Sequence, residues 1–421
     1  MEVSEGWDWQ PGKKVIADLA QIRSSYPRVD EFVVSPDGER IVAPVKAEDG
    51  AFTLSVNSEA WPESFELCWY PRFSRSGRLT ALVRIDDEWT VAVEGAPWQE
   101  RFEYVWNTVF SADDQAIAVA CKRDNAYGVA VDDRVWEETY PAMRDFCLSP
   151  DGSSTAATVQ VGPRKEADVA GFFAGLWSVA VDGKVWSQRY VNTWKPTFSA
   201  DGKAVAAEIR TDICEYSIAV NAEPWPSRFG CVWEPAFHPS SGSVVAPVRH
   251  EGSWRLFKDG EPLWAGLYNQ MWLQRFSPDG SRIAAVVSPE FGKWTIAVDD
   301  RPWKSRFSDM VQAPIFSPDG ERVAAIVKSE DRWSVAVDGV PVSDDFDMVW
   351  DPVFSPCGRH VVTKVELGGK YLILADGKRR DKSYDRLWDP VFSPDGSHVL
   401  LRYVEDDEYC RQVMPSGELL G

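Results

Sequence analysis

A short signature, Phe-Ser-Pro-Asp-Gly, recurs ten times along the chain, intact or degraded. Its serine position falls at Ser35, Ser74, Ser111, Ser149, Ser199, His238, Ser277, Ser317, Ser355 and Ser393. Successive copies lie 37 to 40 residues apart, except that 50 separate Ser149 from Ser199. A unit this short cannot bury a core alone, so units at this period must stack on one another.

One unit shows what is being stacked. Ala313–Ser317 is a short strand entering a turn at Pro318-Asp319-Gly320, where Pro sets φ and Asp-Gly tolerates a left-handed backbone. Arg322–Val327 is a buried strand, Ser329–Asp331 a polar turn, and Trp333–Val337 a third strand. Asp338-Gly339 makes a tight hairpin, and the stretch to Phe346 is a fourth strand. Four short antiparallel strands in about 39 residues make a propeller blade. The sequence therefore predicts an all-β fold, a β-propeller of ten four-stranded blades. The regular step from Ser199 to His238 favours one ring over two smaller rings joined at the midpoint.

Aromatic residues keep phase with this frame. One opens the third strand in every unit, from Phe52 and Trp89 to Tyr409. A second lies five residues before the repeat serine, as at Trp69, Trp194 and Trp388, and a third follows the second hairpin, as at Trp61, Trp136 and Trp303. These positions hold 19 of the 21 tryptophans. A ring recurring at fixed phase is expected to fill the gap between blades, where a broad flat side chain buries much area with little loss of entropy. Only Trp7 and Trp9 fall outside.

A further aromatic precedes the repeat serine by nine or ten residues, and Tyr26 supplies it for the first unit. The chain thus starts inside a unit and ends after the third strand of the last. The N-terminal strand, roughly Val15 to Tyr26, is expected to complete the C-terminal blade begun by Phe392 to Met414 and so to cover its free edge. Domain limits follow: a Trp-containing tail over 1–14 and the propeller over 15–421, with an insertion loop at about 162–173.

Formal net charge is −20, from 45 Lys+Arg and 65 Asp+Glu. That field opposes nucleic acid and anionic lipid. The start, Met1-Glu2-Val3-Ser4-Glu5, has neither the basic nor the apolar region of a signal peptide. No apolar run is long enough to span a bilayer. Seven irregularly spaced cysteines fit a reduced, cytoplasmic chain.

Motifs that carry chemistry are missing. There is no Cys-x-x-Cys, no haem-attachment motif, no nucleophile elbow and no phosphate loop. His238 stands in a turn position, and the Asp-Gly pairs fall at hairpin phase, which makes them turn residues rather than calcium ligands. The expectation is a non-enzyme with no catalytic, cofactor or metal residues. Candidate partner contacts are few. Trp7 and Trp9 flank Asp8 in a tail and should dock on this chain or on a partner. Phe172 and Phe173 close the insertion Gly162–Phe173. Asp30, Arg144 and Gln312 break the tryptophan rule before the repeat serine, through drift or because their units line a functional mouth.

The run at residues 389–400, Asp-Pro-Val-Phe-Ser-Pro-Asp-Gly-Ser-His-Val-Leu, resembles the WD40-like (PD40) repeats of TolB-type propellers, a likeness of fold rather than function. The finer pattern is Trp-Thr-Val-Ala-Val, a hairpin and Pro-Trp, as at Trp89–Trp98 and, with Ile296 for the first Val, Trp294–Trp303. It is joined by Val-Trp-x-Pro-x-Phe-Ser and by Gly6-Trp7-Asp8-Trp9-Gln10-Pro11-Gly12. This combination resembles the TmcD family, the tryptophan-rich subunit of the Tmc transmembrane redox complex of sulfate-reducing bacteria. The resemblance implies a cytoplasmic subunit without a cofactor, peripheral to the inner membrane. Its partners would be a cytochrome b-type membrane subunit, an iron–sulfur subunit and a periplasmic multihaem cytochrome. Two alternatives stay open: a ligand-binding or hydrolytic propeller acting on a glycan or peptide at its central channel, and a soluble protein-interaction module. Inward acids with shifted pKa values would favour the first of these.

Overall fold

The computed structural model describes residues 6–162, 168–342 and 345–421. Part of the tail (1–5) and the centre of the insertion (163–167) lie outside the described residues. The chain is an all-β propeller of ten four-stranded antiparallel blades, numbered here in chain order. Met1–Arg101 with Ile315–Gly421 forms one compact unit, and Phe102–Pro314 forms a second that holds blades three to seven.

Blade five shows the common plan, with strands Asn192–Phe198, Val205–Asp212, Glu215–Val220 and Glu223–Pro224. The first five residues of the second strand, Val205–Ile209, are buried, and all of them but Glu208 are apolar, so this stretch does not alternate. The fourth strand continues past its paired residues to one further narrow bridge. There Tyr216 and Phe229 exchange two backbone hydrogen bonds of 2.9 Å. The same bridge joins Phe52 to Phe65, Trp254 to Tyr268 and Trp333 to Phe346, which explains why both positions stay aromatic.

Most repeat acids are consumed in turns. The repeat serine Oγ donates to the Asp two residues on, at 2.5–2.7 Å for Ser35, Ser111, Ser149, Ser199, Ser277, Ser317 and Ser393. The same Oγ accepts from the backbone N–H five residues on, as from Arg40 and Ala204. A hairpin Asp or Asn caps the second strand, as Asn221 Oδ1 accepts from Val205 N at 2.9 Å. Serine hydroxyls hold Asp279 and Asp395 down at about 2. These acids therefore serve turn geometry.

The tryptophans divide. Those after the second hairpin pack between blades: Trp136 lies under Gly183 of the next blade and donates from Nε1 to Thr155 Oγ1 at 2.8 Å, and Trp225 lies under Gly260. Those before the repeat serine pack within their own blade against the aromatic that opens its third strand, face to face in some blades and edge to face in others, as for Trp106 on Tyr127 and Trp388 on Tyr409. Trp233 lies on Trp254 at 5.6 Å and 8°, and Trp272 on Trp294 at 4.6 Å. Their outer faces stay partly open, with Trp69 and Trp233 each 40% exposed.

The N-terminal strand joins the C-terminal blade, but over fewer residues than the sequence suggested. Gly12–Asp18 pairs antiparallel with Glu408–Pro415. Leu19–Ser25 is then a helix and not the continuation of a strand. Asp18 caps it by accepting from Gln21 N at 3.0 Å, and Leu19 and Ile22 share its buried face. An N-cap and an i, i+3 apolar pair outweigh the phase of Tyr26, which becomes the helix C-cap.

The junction of blade ten with blade one is clamped by two buried arginines. Arg402 donates to the carbonyls of Ser35 at 3.0 Å, Pro36 at 3.2 Å and Asp389 at 2.8 Å. Arg411, 2% exposed, donates from Nε to Asp37 O at 2.8 Å, lies 3.0 Å from Glu39 and reaches the carbonyl of Asp8. Tyr409 donates to Gly38 O at 3.1 Å. Gly38 sits at φ +77°, and a Cβ there would meet Arg402 Cγ at 3.0 Å, so both backbone and space demand glycine.

Candidate functional site

The register of the blades isolates one residue. The centre of the second strand faces the residue five before the repeat serine on the first strand: Ala120 pairs with Trp106, Thr158 with Arg144, Val286 with Trp272 and Leu82 with Trp69. In blade five this central position is Glu208, opposite Trp194. By repeat phase the other charged occupants are Lys364 and Arg402. Both are engaged. Lys364 pairs with Asp389 at 3.0 Å and lies 4.3 Å from the Trp350 ring, and Arg402 is held by three carbonyls.

Glu208 differs from both. It is 8% exposed, and no described group donates a hydrogen bond to its carboxyl. Its oxygens are not among the sealed orphan atoms, so they keep contact with solvent. Burial pushes its pKa up to about 8; the nearby Glu234 carboxylate and, more weakly, Asp145 add to the rise, while Lys195 opposes it. A buried acid without a partner costs stability, and such costs concentrate at functional sites.

Its neighbours come from three consecutive blades. Asp145 (φ +50°) and Lys195 (φ +48°) stand at bulges of the first strands of blades four and five, where the register shifts and side chains are re-aimed. Glu234 holds the matching position of blade six and pairs with Lys195 at 3.2 Å. Trp233, next to Glu234 in sequence, is 40% exposed and stacks on Trp254 of its own blade. The acids make no metal site: among the described residues no three His, Cys, Asp or Glu side chains come together as a metal would need.

Sequence reasoning did not single out Glu208. The available signal was phase, an acid at a position that is apolar, Pro or Thr in seven of the other units. The residues it did single out lie elsewhere. Trp7 and Trp9 stack on each other at 6.0 Å, and their tail is tied to the protein through Asp8, which binds Lys14 at 2.9 Å and Arg411. Arg144 lies 4.1 Å from the Trp177 ring and 5.7 Å from Trp194, and it donates to Asn192 and Thr193 O. It therefore substitutes for a packing tryptophan by a cation–π stack. Phe172 and Phe173 end a short helix, Val169–Phe173, meet edge to face at 5.4 Å and remain 37% exposed each.

The cysteines form no disulfide. Cys357 replaces the repeat Asp, and its thiol is lowered to about 6 by the Ser355 hydroxyl, at 3.3 Å, and by Arg359. Burial pushes Cys68 and Cys147 up to about 12. At pH 7 iodoacetamide is expected to modify Cys357 while Cys68 and Cys147 stay unmodified, with labelling falling as pH drops through 6. Peptide mass mapping checks this; equal labelling of Cys68 and Cys357 would refute it.

No protein-family model matches the chain, and no curated protein matches it. Solved structures that resemble it are propellers. The Dos1 propeller aligns at 11% identity with TM-score 0.40, covering 73% of this chain and 92% of that one. TolB from Acinetobacter baumannii aligns at 17% identity and TM-score 0.29, covering 62% and 63%. The Cps50 (Swd1) propeller domain of Myceliophteria thermophila aligns at 12% identity and TM-score 0.31, covering 64% and 95%.

Proposed function

We propose that this chain is a non-catalytic interaction scaffold. In the finer form of the proposal it is a cytoplasmic subunit of a Tmc-type electron-transfer complex in sulfate-reducing bacteria. It would be held at the inner membrane by a cytochrome b-type membrane subunit and an iron–sulfur subunit. Its part is structural, with haem and clusters carried by those partners.

One observation carries the scaffold reading. In Phe102–Pro314 the loops joining second to third strands lie at the same end of their blades, because strand order is constant. Three of them present apolar tips: Val169, Phe172 and Phe173 in blade four, Ile213 in blade five and Phe291, 95% exposed, in blade seven. Apolar tips on a rigid sheet framework are what a protein partner covers. The Tmc assignment rests on the sequence resemblance. No described helix is long and apolar enough to cross a membrane, which agrees with attachment through partners.

The test is affinity isolation of the tagged chain from native membranes, with mass spectrometry of what accompanies it. Recovery of the cytochrome b-type and iron–sulfur subunits is expected, and reduced recovery for Phe172→Ser/Phe173→Ser/Phe291→Ser at unchanged thermal stability. Recovery of the chain alone would sink the complex, and full recovery with the variant would sink this surface. Trp7→Ala/Trp9→Ala should act differently. Because that tail docks on its own chain, the variant is expected to lose about 1–3 kcal/mol of stability with partner recovery intact. A lower recovery at full stability would instead put the tail in the interface.

A further inference from the structure

Blade one replaces the tryptophan five residues before the repeat serine by Asp30. In blades nine and ten that tryptophan packs on the aromatic opening the third strand, Trp350 on Tyr371 and Trp388 on Tyr409, each at 5.6 Å. Blade one keeps the aromatic, Phe52, and Lys46 Nζ lies 5.6 Å from its ring. Asp30 instead lines a cavity of about 480 Å³, where the helix Leu19–Ser25 and the start of blade one meet the first strand of blade ten. Four charged side chains share this cavity: Arg23, Asp30, Glu31 and Arg386. Two are engaged. Arg23 pairs with Asp407 at 2.5 Å and lies 5.6 Å from the Phe32 ring, and Asp30 accepts from Arg28 Nε at 2.7 Å. Arg386 and Glu31 are exposed, and among the described residues neither has an ion-pair or side-chain hydrogen-bond partner, each other included. The rest of the lining is apolar, and Tyr26 and Val29 in it pack on the buried cluster of Leu19, Ile22 and Phe32.

Opposite charges that line one cavity without meeting restrict what can fill it. A simple anion would suit Arg386 and be repelled by Glu31 and Asp30, and a simple cation the reverse. A metal ion would need more oxygens than two carboxylates and would face two arginines. A zwitterion answers both signs, since its carboxylate and its ammonium each form charge-assisted hydrogen bonds. The volume and the apolar part of the lining suit a small organic molecule.

We propose that this cavity binds a free α-amino acid with a large apolar side chain. Its carboxylate accepts from the Arg386 guanidinium, its ammonium donates to the Glu31 carboxylate, and its side chain lies on Tyr26 and Val29. Arg23, fixed by Asp407 and Phe32, adds to the attraction for the carboxylate, and Asp30 to that for the ammonium. The proposal goes beyond the scaffold role and does not rest on it.

Titration calorimetry of the full chain at pH 7 tests it. L-Phenylalanine is compared with N-acetyl-L-phenylalanine, which lacks the ammonium, with L-phenylalaninamide, which lacks the carboxylate, and with L-alanine, which lacks the ring. L-Phenylalanine is expected to bind with Kd at or below about 1 mM, and at least about tenfold tighter than any of the other three. Arg386→Gln and Glu31→Gln should each weaken binding about tenfold or more. Both side chains are exposed and unpaired, so thermal melts of the two variants should match the parent. Glu59→Gln, an exposed change elsewhere on blade one, should leave the affinity as it is. No saturable binding up to about 10 mM, equal binding of any comparison compound, or unchanged affinity in both variants would overturn the site. The titration needs no partner, so failure to isolate a complex leaves this result standing, and the converse holds.

Discussion

Glu208→Gln is expected to stabilise the protein above pH 8 and to leave it nearly unchanged at pH 5. The folded chain holds this carboxyl at about 8, against 4.5 for an ordinary glutamate. Folding therefore favours the protonated acid. Its contribution is fully present below pH 4.5 and is lost as pH rises towards 8, where the buried group must ionise without a hydrogen-bond donor. Each pH unit in that window is worth about 1.4 kcal/mol, so the slope amounts to about 3–5 kcal/mol by pH 9. Glutamine keeps the shape and cannot ionise. Denaturant unfolding of both proteins from pH 5 to 9 should give curves that coincide in acid and diverge in base. Parallel curves would refute the burial of an unpartnered acid. Titrations of groups remote from Glu208 are common to both proteins and drop out of the difference, whereas Lys195 and Cys231, which feel its charge, shift with it.

Arg411→Ala is expected to cost about 3–5 kcal/mol and to release the N-terminal strand. Its guanidinium is nearly inaccessible, and its loss would leave the Asp37 and Asp8 carbonyls without their donor and the Glu39 carboxylate with Lys14 alone. The readout that distinguishes this from a general loss of packing is hydrogen exchange. Amides of Gly12–Asp18 should lose protection before those of other strands, because Arg411 binds both the tail and the first-blade turn. Unchanged protection there would show that strand pairing alone holds the terminus. Gly38→Ala should act in the same direction, since it strains φ +77° and presses on Arg402.

Much of the fold could be read from the sequence because the repeat is written in local chemistry. Ser-Pro-Asp-Gly specifies a turn whose serine and aspartate bond each other two residues apart, and the aromatic pair of the narrow bridge lies on adjacent strands. The candidate site was not legible in the same way. Glu208 looks like one of 65 acids until the register sets it opposite Trp194, and Asp145, Lys195 and Glu234 are about 40 to 50 residues apart in sequence. Arg144 broke the tryptophan phase and so drew attention, yet it packs as the tryptophan would. The helix Leu19–Ser25 was hidden for a related reason: Tyr26 kept the repeat phase while a cap and two apolar contacts set the local structure.

The division follows the range of the forces. The sequence by itself determined the number of units and the strands within each, since period, turn residues and apolar runs act within about 40 residues; the incomplete units at its two ends pointed in addition to the joining of the first strand to the last blade. Tertiary structure alone decided which acids are solvated in turns and which is recessed. A carboxyl's cost depends on donors and water brought near it by other blades, and no pattern along the chain records them.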